Sequence, residues 1–241
     1  MPRVSAEPPE FVRTTRASYD TMAQAYADRF PDSLAEQPLD RALVKVFADF
    51  VRAAFPASPA SAAPPPVADV GSGPGHVTAW LRELGLPVFG VDVSPRMVAL
   101  ARRSHPGLRF HVGSMTSLDL PDETLGGVLA LYSIIHVPDG HLADAFAEFH
   151  RVLVPGGHVL LCFQAGKEGH VRLTERFGHA IQLDYYWRTP ETVADRLSAA
   201  GLRPRARVLR EPLGEETRPR AFLLADKPAG EPAPRPAVTP T

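Results

Sequence analysis

The run Asp69-Val-Gly71-Ser72-Gly73-Pro74-Gly75-His76 sets three glycines behind a short apolar stretch, and a second apolar stretch ends in Asp92, 17 residues after Gly75. Glycines at a strand-to-helix turn let the backbone approach a ligand, and the crevice beyond the strand ends of an open α/β sheet is where ligands bind. A carboxylate at the neighbouring strand tip is an acceptor-only group with two oxygens, suited to both hydroxyls of a ribose. The competing role for Asp92 is a cap for the helix that begins at Pro95, but Ser94 already stands at that N-cap position. Two other nucleotide signatures fit less well. In a dinucleotide fingerprint counted from Gly71, the third glycine would fall on His76, and no Gly-Lys-Ser/Thr follows to make a phosphate loop.

His136 is the second group with chemistry in reach. It follows Leu131-Tyr132-Ser133-Ile134-Ile135 at the mouth of an apolar run, and a histidine titrates near working pH, so it can take the proton of a hydroxyl nucleophile. The alternative is a histidine that bonds a loop carbonyl. Cys162, the only cysteine, lies in the apolar run Val-Leu-Leu-Cys-Phe and reads as a packed thiol. His170 and His179 are nine residues apart with no cysteine or paired acid at zinc spacing, so no metal is expected there.

The elements that must hold these groups alternate in type. Short apolar runs at residues 67–70, 88–91, 109–112, 128–131 and 159–163 alternate with helical patterns at 77–84, 95–103 and 142–153, the signature of βαβ units on a parallel sheet. A helix opened by Thr189-Pro190-Glu191 and stopped by Gly201 is followed by two further strands, near 206–209 and 221–225, joined by a turn short enough to make them antiparallel. Residues 10–30 and 38–55 read as helices, the second through apolar residues at three- and four-residue spacing, and together residues 1–55 make a helical cap. Between residues 164 and 189 the alternation lapses. An excursion that long is either a substrate-side insertion or a surface loop anchored by its aromatics.

Five prolines in residues 56–66 mark a linker, and the proline-rich residues 227–241 a disordered tail, leaving 67–226 as the principal domain. A formal charge of −1, from 26 basic and 27 acidic residues, offers no field for a nucleic acid backbone. No apolar run approaches membrane-spanning length, and residues 1–10 lack the basic and apolar regions of a signal peptide, so a cytoplasmic protein without a membrane partner is expected. Oligomeric state is not legible.

The motif Asp69-x-Gly-x-Gly-x-Gly75 and Asp92 are joined by Gly113-Ser114-Met115 and by Arg151-Val-Leu-Val-Pro155-Gly156-Gly157. Over roughly residues 16–226 these resemble the successive motifs of class I S-adenosylmethionine (SAM)-dependent methyltransferases, in particular the small-molecule group of ubiquinone/menaquinone-type and actinobacterial natural-product enzymes. The resemblance implies a doubly wound α/β fold with a mostly parallel seven-stranded sheet in the order 3-2-1-4-5-7-6. It also implies SAM as cofactor, S-adenosylhomocysteine (SAH) as product and a small metabolite as acceptor.

Carried over by position, Asp69 belongs to the cofactor site, Gly71, Ser72, Gly73 and Gly75 to the methionine side of SAM, Asp92 to the ribose, and Val93 and Met97 to the adenine. Ser114 and Met115 cover the adenine rim, where many relatives have Asp in place of Ser114. Leu131 and Tyr132 face the methyl donor. Tyr19 and Tyr26 resemble the family's N-terminal aromatic lid, their other reading being core positions of a cap helix. His136, Gln164, Tyr185, Tyr186 and Trp187 are the acceptor-side residues, with His136 as catalytic base. The Asn/Asp-Pro-Pro-aromatic motif of base and amide methylation is missing after the fourth strand, and residues 130–138 hold no carboxylate for Mg²⁺. Metal-independent transfer to an O, N or C nucleophile is therefore expected. The rival functions are SAM or SAH binding without turnover and, less well supported, NAD-dependent oxidoreduction.

Overall fold

Val67, Ala68, Asp69 and Val70 are all buried, and they form β1 (Val67–Val70) in the middle of a seven-stranded sheet. The structure, a computed structural model, describes residues 7–31, 34, 37–56 and 63–229. Most of the expected linker, the tail beyond residue 229 and the first six residues lie outside the described residues.

β1 pairs in parallel with β2 (Val88–Asp92) on one side and β4 (Leu125–Leu131) on the other. β3 (Arg109–Val112) extends the first side, and β5 (Leu153–Gln164) extends the second. β5 carries β9 (Arg220–Asp226) antiparallel, and β9 carries β8 (Arg203–Arg210) antiparallel at the edge. The resulting order, β3-β2-β1-β4-β5-β9-β8, is the expected one, because β8 and β9 are the sixth and seventh strands of this sheet. Strand order reverses between β1 and β4, so their carboxyl ends open the crevice that this architecture uses for ligands.

Side chains alternate across the sheet. Ala68 and Val70 join one buried cluster with α5 (Asp139–Val152) and α6 (Pro190–Ala199), while Val67, Leu129 and Leu160 join another with α2 (Pro38–Ala54) and α3 (His76–Glu83). α2 contributes Val44, Phe47, Ala48 and Val51 to that face, its apolar stripe at helical spacing. α4 (Pro95–Ser104) covers β3 through Val98, Ala101 and Phe110. α4 begins as its sequence requires, with Pro95 in the first turn and Ser94 Oγ accepting the Met97 amide at 3.1 Å. α1 (Glu10–Arg29) crosses from α4 to the insertion.

Four element starts differ from expectation by three residues or more, β8 among them at Arg203 rather than 206. β4 starts at Leu125 rather than 128, α5 starts at Asp139 rather than 142, and β5 runs back through Pro155-Gly156-Gly157 to Leu153. Glycine and proline argue against a strand locally, but pairing with Lys227 overrides them, and that residue, expected in the disordered tail, is ordered and buried just after β9. The Gly156 amide donates to the Lys227 carbonyl at 2.8 Å and the Lys227 amide to the Gly157 carbonyl at 2.8 Å. The excursion after β5 is a separate two-stranded hairpin of β6 (Gly169–Arg176) and β7 (His179–Trp187). Its turn is Phe177-Gly178, with positive φ at both residues (52° and 74°), the backbone that a tight two-residue hairpin needs.

Candidate active site

The turn after β1 forms the floor. Gly71, Gly73 and Gly75 all have positive φ, at 83°, 52° and 91°, but for different reasons. A Cβ on Gly71 would lie 2.3 Å from Ser133 Cβ, and one on Gly75 would lie 2.7 Å from Phe110 Cζ, so both glycines are demanded by packing. A Cβ on Gly73 would meet nothing within 4 Å; here the missing side chain leaves open space. Asp92 sews this floor to the next strand. Its Oδ2 accepts the Gly73 amide at 2.8 Å and its Oδ1 the Ser94 amide at 2.8 Å, leaving lone pairs on both oxygens. Burial pushes its pKa up to about 6 against the pull of those amides. Asp69, accepting from Thr78 Oγ1 at 2.5 Å, is pushed by burial up to about 7.

α1 forms the roof and is fixed at several points. Asp20 accepts from Ser94 Oγ at 2.6 Å and from the Arg96 amide at 3.0 Å, Arg16 Nε donates to the Val93 carbonyl at 3.0 Å, and Ser18 Oγ donates to the Gln182 carbonyl at 2.8 Å. The helix therefore bridges the α4 end of the sheet to β7. Tyr19 and Tyr26 both line the space beneath, their rings 5.8 Å apart and edge-on. Burial raises the pKa of each, that of Tyr26 to about 12, so both hydroxyls keep their protons.

His136 ends a single 3₁₀ turn, Ile134–His136, just past β4. Its Nδ1 lies 2.8 Å from the Asp184 carbonyl oxygen, which can only accept, so Nδ1 carries the proton. Nε2 is then the acceptor for the Tyr19 hydroxyl at 2.8 Å. Burial lowers the imidazole pKa to about 4, which keeps it neutral at working pH. One nitrogen of this histidine thus holds a carbonyl of β7, and the other meets a cavity hydroxyl. The Tyr185 ring stands edge-on to His136, with centroids 4.7 Å apart, and its hydroxyl accepts from Arg176 Nη1 at 2.7 Å.

These surfaces enclose a cavity of about 370 Å³. Of the residues singled out in the sequence, Asp69, Gly71, Ser72, Gly73, Asp92, Val93, Met97, Ser114 and Met115 line its sheet side. Tyr19, Tyr26, Leu131, Tyr132, His136, Gln164 and Tyr185 line the remainder. Gly75, Tyr186 and Trp187 do not. Tyr186 stacks on His170 at 4.6 Å, while Trp187 Nε1 donates to Gln164 Oε1 at 3.1 Å and its ring carries the Arg218 guanidinium at 3.8 Å. Ser114 Oγ, in the place where relatives carry Asp, pairs with Thr116 Oγ1 at 3.0 Å.

Sequence reasoning missed Phe11, Thr15 and Gln37 of the roof, Ser133, and the charged Arg176, Glu216 and Arg220. Alternation of Val171 and Leu173 with Ile181, Leu183 and Tyr185 around Gly178 was the available signal for the hairpin carrying Arg176. Nothing local marks Glu216, on the β8–β9 connection, or Arg220, the first residue of β9. Among the described residues no three His, Cys, Asp or Glu side chains converge as a metal-binding group, and no helix is long and apolar enough to cross a membrane.

Residues 67–157 match the family described as "Methyltransferase domain", a span that runs from β1 into β5. That span of the chain is similar to a methyltransferase domain. A stretch of 71 residues is 37% identical to the demethylmenaquinone methyltransferase of Chlorobaculum parvum, a match covering 29% of this chain and 30% of that protein. The chain thus spans under a third of the curated relative. Two solved structures share the fold over nearly the full length. One is the 1,6-didemethyltoxoflavin-N1-methyltransferase of Burkholderia thailandensis with bound 1,6-didemethyltoxoflavin and SAH, at TM-score 0.66 and 21% identity, covering 95% of this chain and 93% of that one. The other is DhpI in complex with SAH, at TM-score 0.66 and 22% identity, covering 93% and 98%. The methyltransferase domain match stops at Gly157, so β6, β7 and the β8–β9 connection lie outside it.

Proposed function

We propose that this chain transfers a methyl group from SAM to an O, N or C nucleophile of a small-molecule metabolite, without a metal ion. The observation that carries the reading is the continuity of one cavity from Gly73 and Asp92, at the tips of β1 and β2, to the cluster of Tyr19, His136 and Tyr185. Its size and mixed lining suit a small-molecule site. The names of the Burkholderia and Chlorobaculum proteins favour an acceptor of that class.

The residues present fit an adenosyl ligand. Ser72 Oγ is buried in the cavity wall with no hydrogen-bond partner among the described residues, beside the open space at Gly73. In this reading Gly71, Ser72 and Gly73 take the methionine side, Asp92 the ribose, Val93 and Met97 the adenine, and Tyr19 and Tyr26 the cover. Gln164 and Tyr185 meet the acceptor; Trp187, outside the cavity, holds the Gln164 amide. When bound, SAM supplies an electrophilic methyl on a sulfonium. The protein's main contribution is to align nucleophile and donor and to exclude water, an effect worth roughly 7–11 kcal/mol.

For a hydroxyl acceptor, the Tyr19 hydroxyl receives the acceptor's proton as its own moves to His136 Nε2. With the imidazole pKa held at about 4 by burial, His136 is a weak base that passes the proton on to solvent, so the gain in rate is on the order of 10² rather than 10⁴. Calorimetric titration with SAM is the first test, and no binding at millimolar ligand ends the reading. Transfer of a labelled methyl to members of an acceptor panel separates an enzyme from a SAM-binding protein without turnover.

A further inference from the structure

Five charged side chains line the cavity, and four have counter-groups. Asp69 is bonded by Thr78, Asp92 by the amides of Gly73 and Ser94, and Glu216 is paired with both Arg210 and Arg220. Arg176 is the exception in having no anion: its guanidinium is faced by the rings of Phe177 and Tyr185, at 4.9 and 5.7 Å. Among the described residues no carboxylate lies within ion-pair range of it; its Nη1 donates to the neutral Tyr185 hydroxyl at 2.7 Å, and its Nε is buried with no partner. The hairpin holds the side chain in place, since Phe177 packs on the rings of Tyr26 and Phe30 at 6.3 and 6.0 Å. The same chain shows what this edge of a guanidinium does when an acid is near. Arg172 grips Asp184 through Nε and Nη2 at 2.9 and 2.8 Å, and Arg203 grips Asp226 through the same pair of atoms at 3.2 and 2.8 Å.

A half-buried cation without a counter-charge carries a desolvation cost that only an anion offsets well, and the planar guanidinium fork matches a carboxylate. The proposed reaction sharpens the need, because a sulfonium bound in the same cavity would add a second positive charge. We propose that Arg176 is the carboxylate receptor of this cavity, a site for an anionic small molecule held beside the Tyr19–His136–Tyr185 cluster. This rests on the methyl-transfer reading. Two ligands of that reaction can bring the carboxylate, an organic acid serving as methyl acceptor or the methionine moiety of the cofactor.

The test uses the full chain and the Arg176→Gln and Arg176→Lys variants, each checked for an unchanged unfolding transition. In one arm SAH is titrated beside 5′-methylthioadenosine, which lacks the amino-acid carboxylate. In the other, benzoate, salicylate and 4-hydroxybenzoate are titrated beside their carboxamides, with and without SAH. An acceptor carboxylate predicts that the unaltered chain prefers the acids, and that Arg176→Gln weakens them by about tenfold to a hundredfold while the amides and SAH are unaffected. A cofactor carboxylate predicts the same loss for SAH and none for 5′-methylthioadenosine. In either case Arg176→Lys, which keeps the charge but not the fork, falls between. The proposal is overturned if Arg176→Gln changes neither SAH affinity nor any preference for acids over amides. Failure of the unaltered chain to bind SAH would instead overturn the methyl-transfer reading, and the acid-against-amide arm would still judge Arg176.

Discussion

The Tyr19 hydroxyl and His136 Nε2 stand 2.8 Å apart, joining the first helix of the chain to the turn that follows β4. Because Nδ1 is committed to the Asp184 carbonyl, this bond has one direction, phenol to imidazole. The two side chains therefore act as a unit, and their substitutions are expected to be non-additive. Tyr19→Phe and His136→Ala should each lower kcat with a hydroxyl acceptor by on the order of 10², and the double variant should be little worse than either. SAH affinity of His136→Ala should stay unchanged. Single-turnover rates for the four proteins check this; multiplicative losses would separate the two residues.

The pH dependence divides between His136 and Asp92. With its pKa lowered to about 4 by burial, His136 stays neutral across the working range and gives no inflection between pH 6 and 7. Asp92, raised to about 6 by burial, is ionised above that pH and protonated below it. Since the ionised form is the better ribose acceptor, SAH affinity should be flat from pH 7 to 8.5 and weaken as pH falls through about 6. Asp92→Ala should remove that limb and weaken binding at pH 7.5 by roughly 1.5–3 kcal/mol. Titration calorimetry at several pH values measures both. An equal acid limb in the variant would show that another group controls binding.

Gly73 and Gly75 look equivalent in the sequence but have opposite surroundings. Gly75→Ala puts a Cβ 2.7 Å from the Phe110 ring at φ 91°, so it should cost stability, on the order of 1–3 kcal/mol of strain before any repacking. Gly73→Ala meets no atom within 4 Å and adopts φ 52°, inside the left-handed region an L-residue can reach, at about 1 kcal/mol. Its methyl occupies the open space proposed for the ligand. The expected pattern is a stable Gly73→Ala with reduced SAH affinity and a destabilised Gly75→Ala, read from urea unfolding alongside titration.

That contrast illustrates what was legible in the sequence. Glycine spacing, Asp92 and the Ser94-Pro95 start of α4 depend on local backbone chemistry, and Gly71, Gly73 and Asp92 line the β1–β2 side of the cavity. The strand order followed from alternation together with the family resemblance. The pairing of β5 with Lys227 depends on residues 70 positions away and contradicts the local Pro-Gly-Gly signal, so the strand's early start was hidden. Arg176 was within view, but its role follows from which carboxylates are not near it, a fact available only from coordinates. Asp20 in turn reads locally as an exposed helix acid, whereas it caps an element 74 residues later.

A buried ion pair fixes α2 to the far edge of the sheet. Asp40 accepts from Arg210 Nε at 2.8 Å, both side chains are almost fully buried, and Arg210 also grips Glu216 at 2.8 Å. Arg210→Ala leaves the Asp40 carboxylate buried without its main partner and should cost about 3–5 kcal/mol. Replacing both members by apolar residues, Asp40→Leu with Arg210→Met, should recover most of that loss, because the desolvation cost goes with the charges. Denaturant midpoints test the pair. A double variant as unstable as Arg210→Ala would mean that the geometry of the Glu216 contact matters more than the charge on Asp40.

Asp69 gives the stability of the ligand-free protein a pH dependence of unusual sign. Its pKa is about 7 in the fold, raised by burial, against 3.8 for the free side chain. Between those values the folded state holds a proton that the unfolded chain has released, so stability is greatest below about pH 4 for this group and declines as pH rises towards 7. Asp92 acts in the same direction up to about pH 6. Acids whose pKa is lowered in the fold, such as Asp184 and Asp226, work oppositely near and below their ordinary range, and His136, lowered from 6.5 to about 4, works oppositely between those values, so the decline due to Asp69 stands clear of it only above about pH 6.5. Asp69→Asn keeps an acceptor for Thr78 and cannot ionise. It should flatten the decline from pH 5 to 8, with a gain at pH 8 of a few kcal/mol, at most about 4. Urea unfolding at pH 5, 6.5 and 8 decides the matter: parallel slopes for the two proteins would mean that water reaches the Asp69 carboxylate in the folded state and relieves its burial.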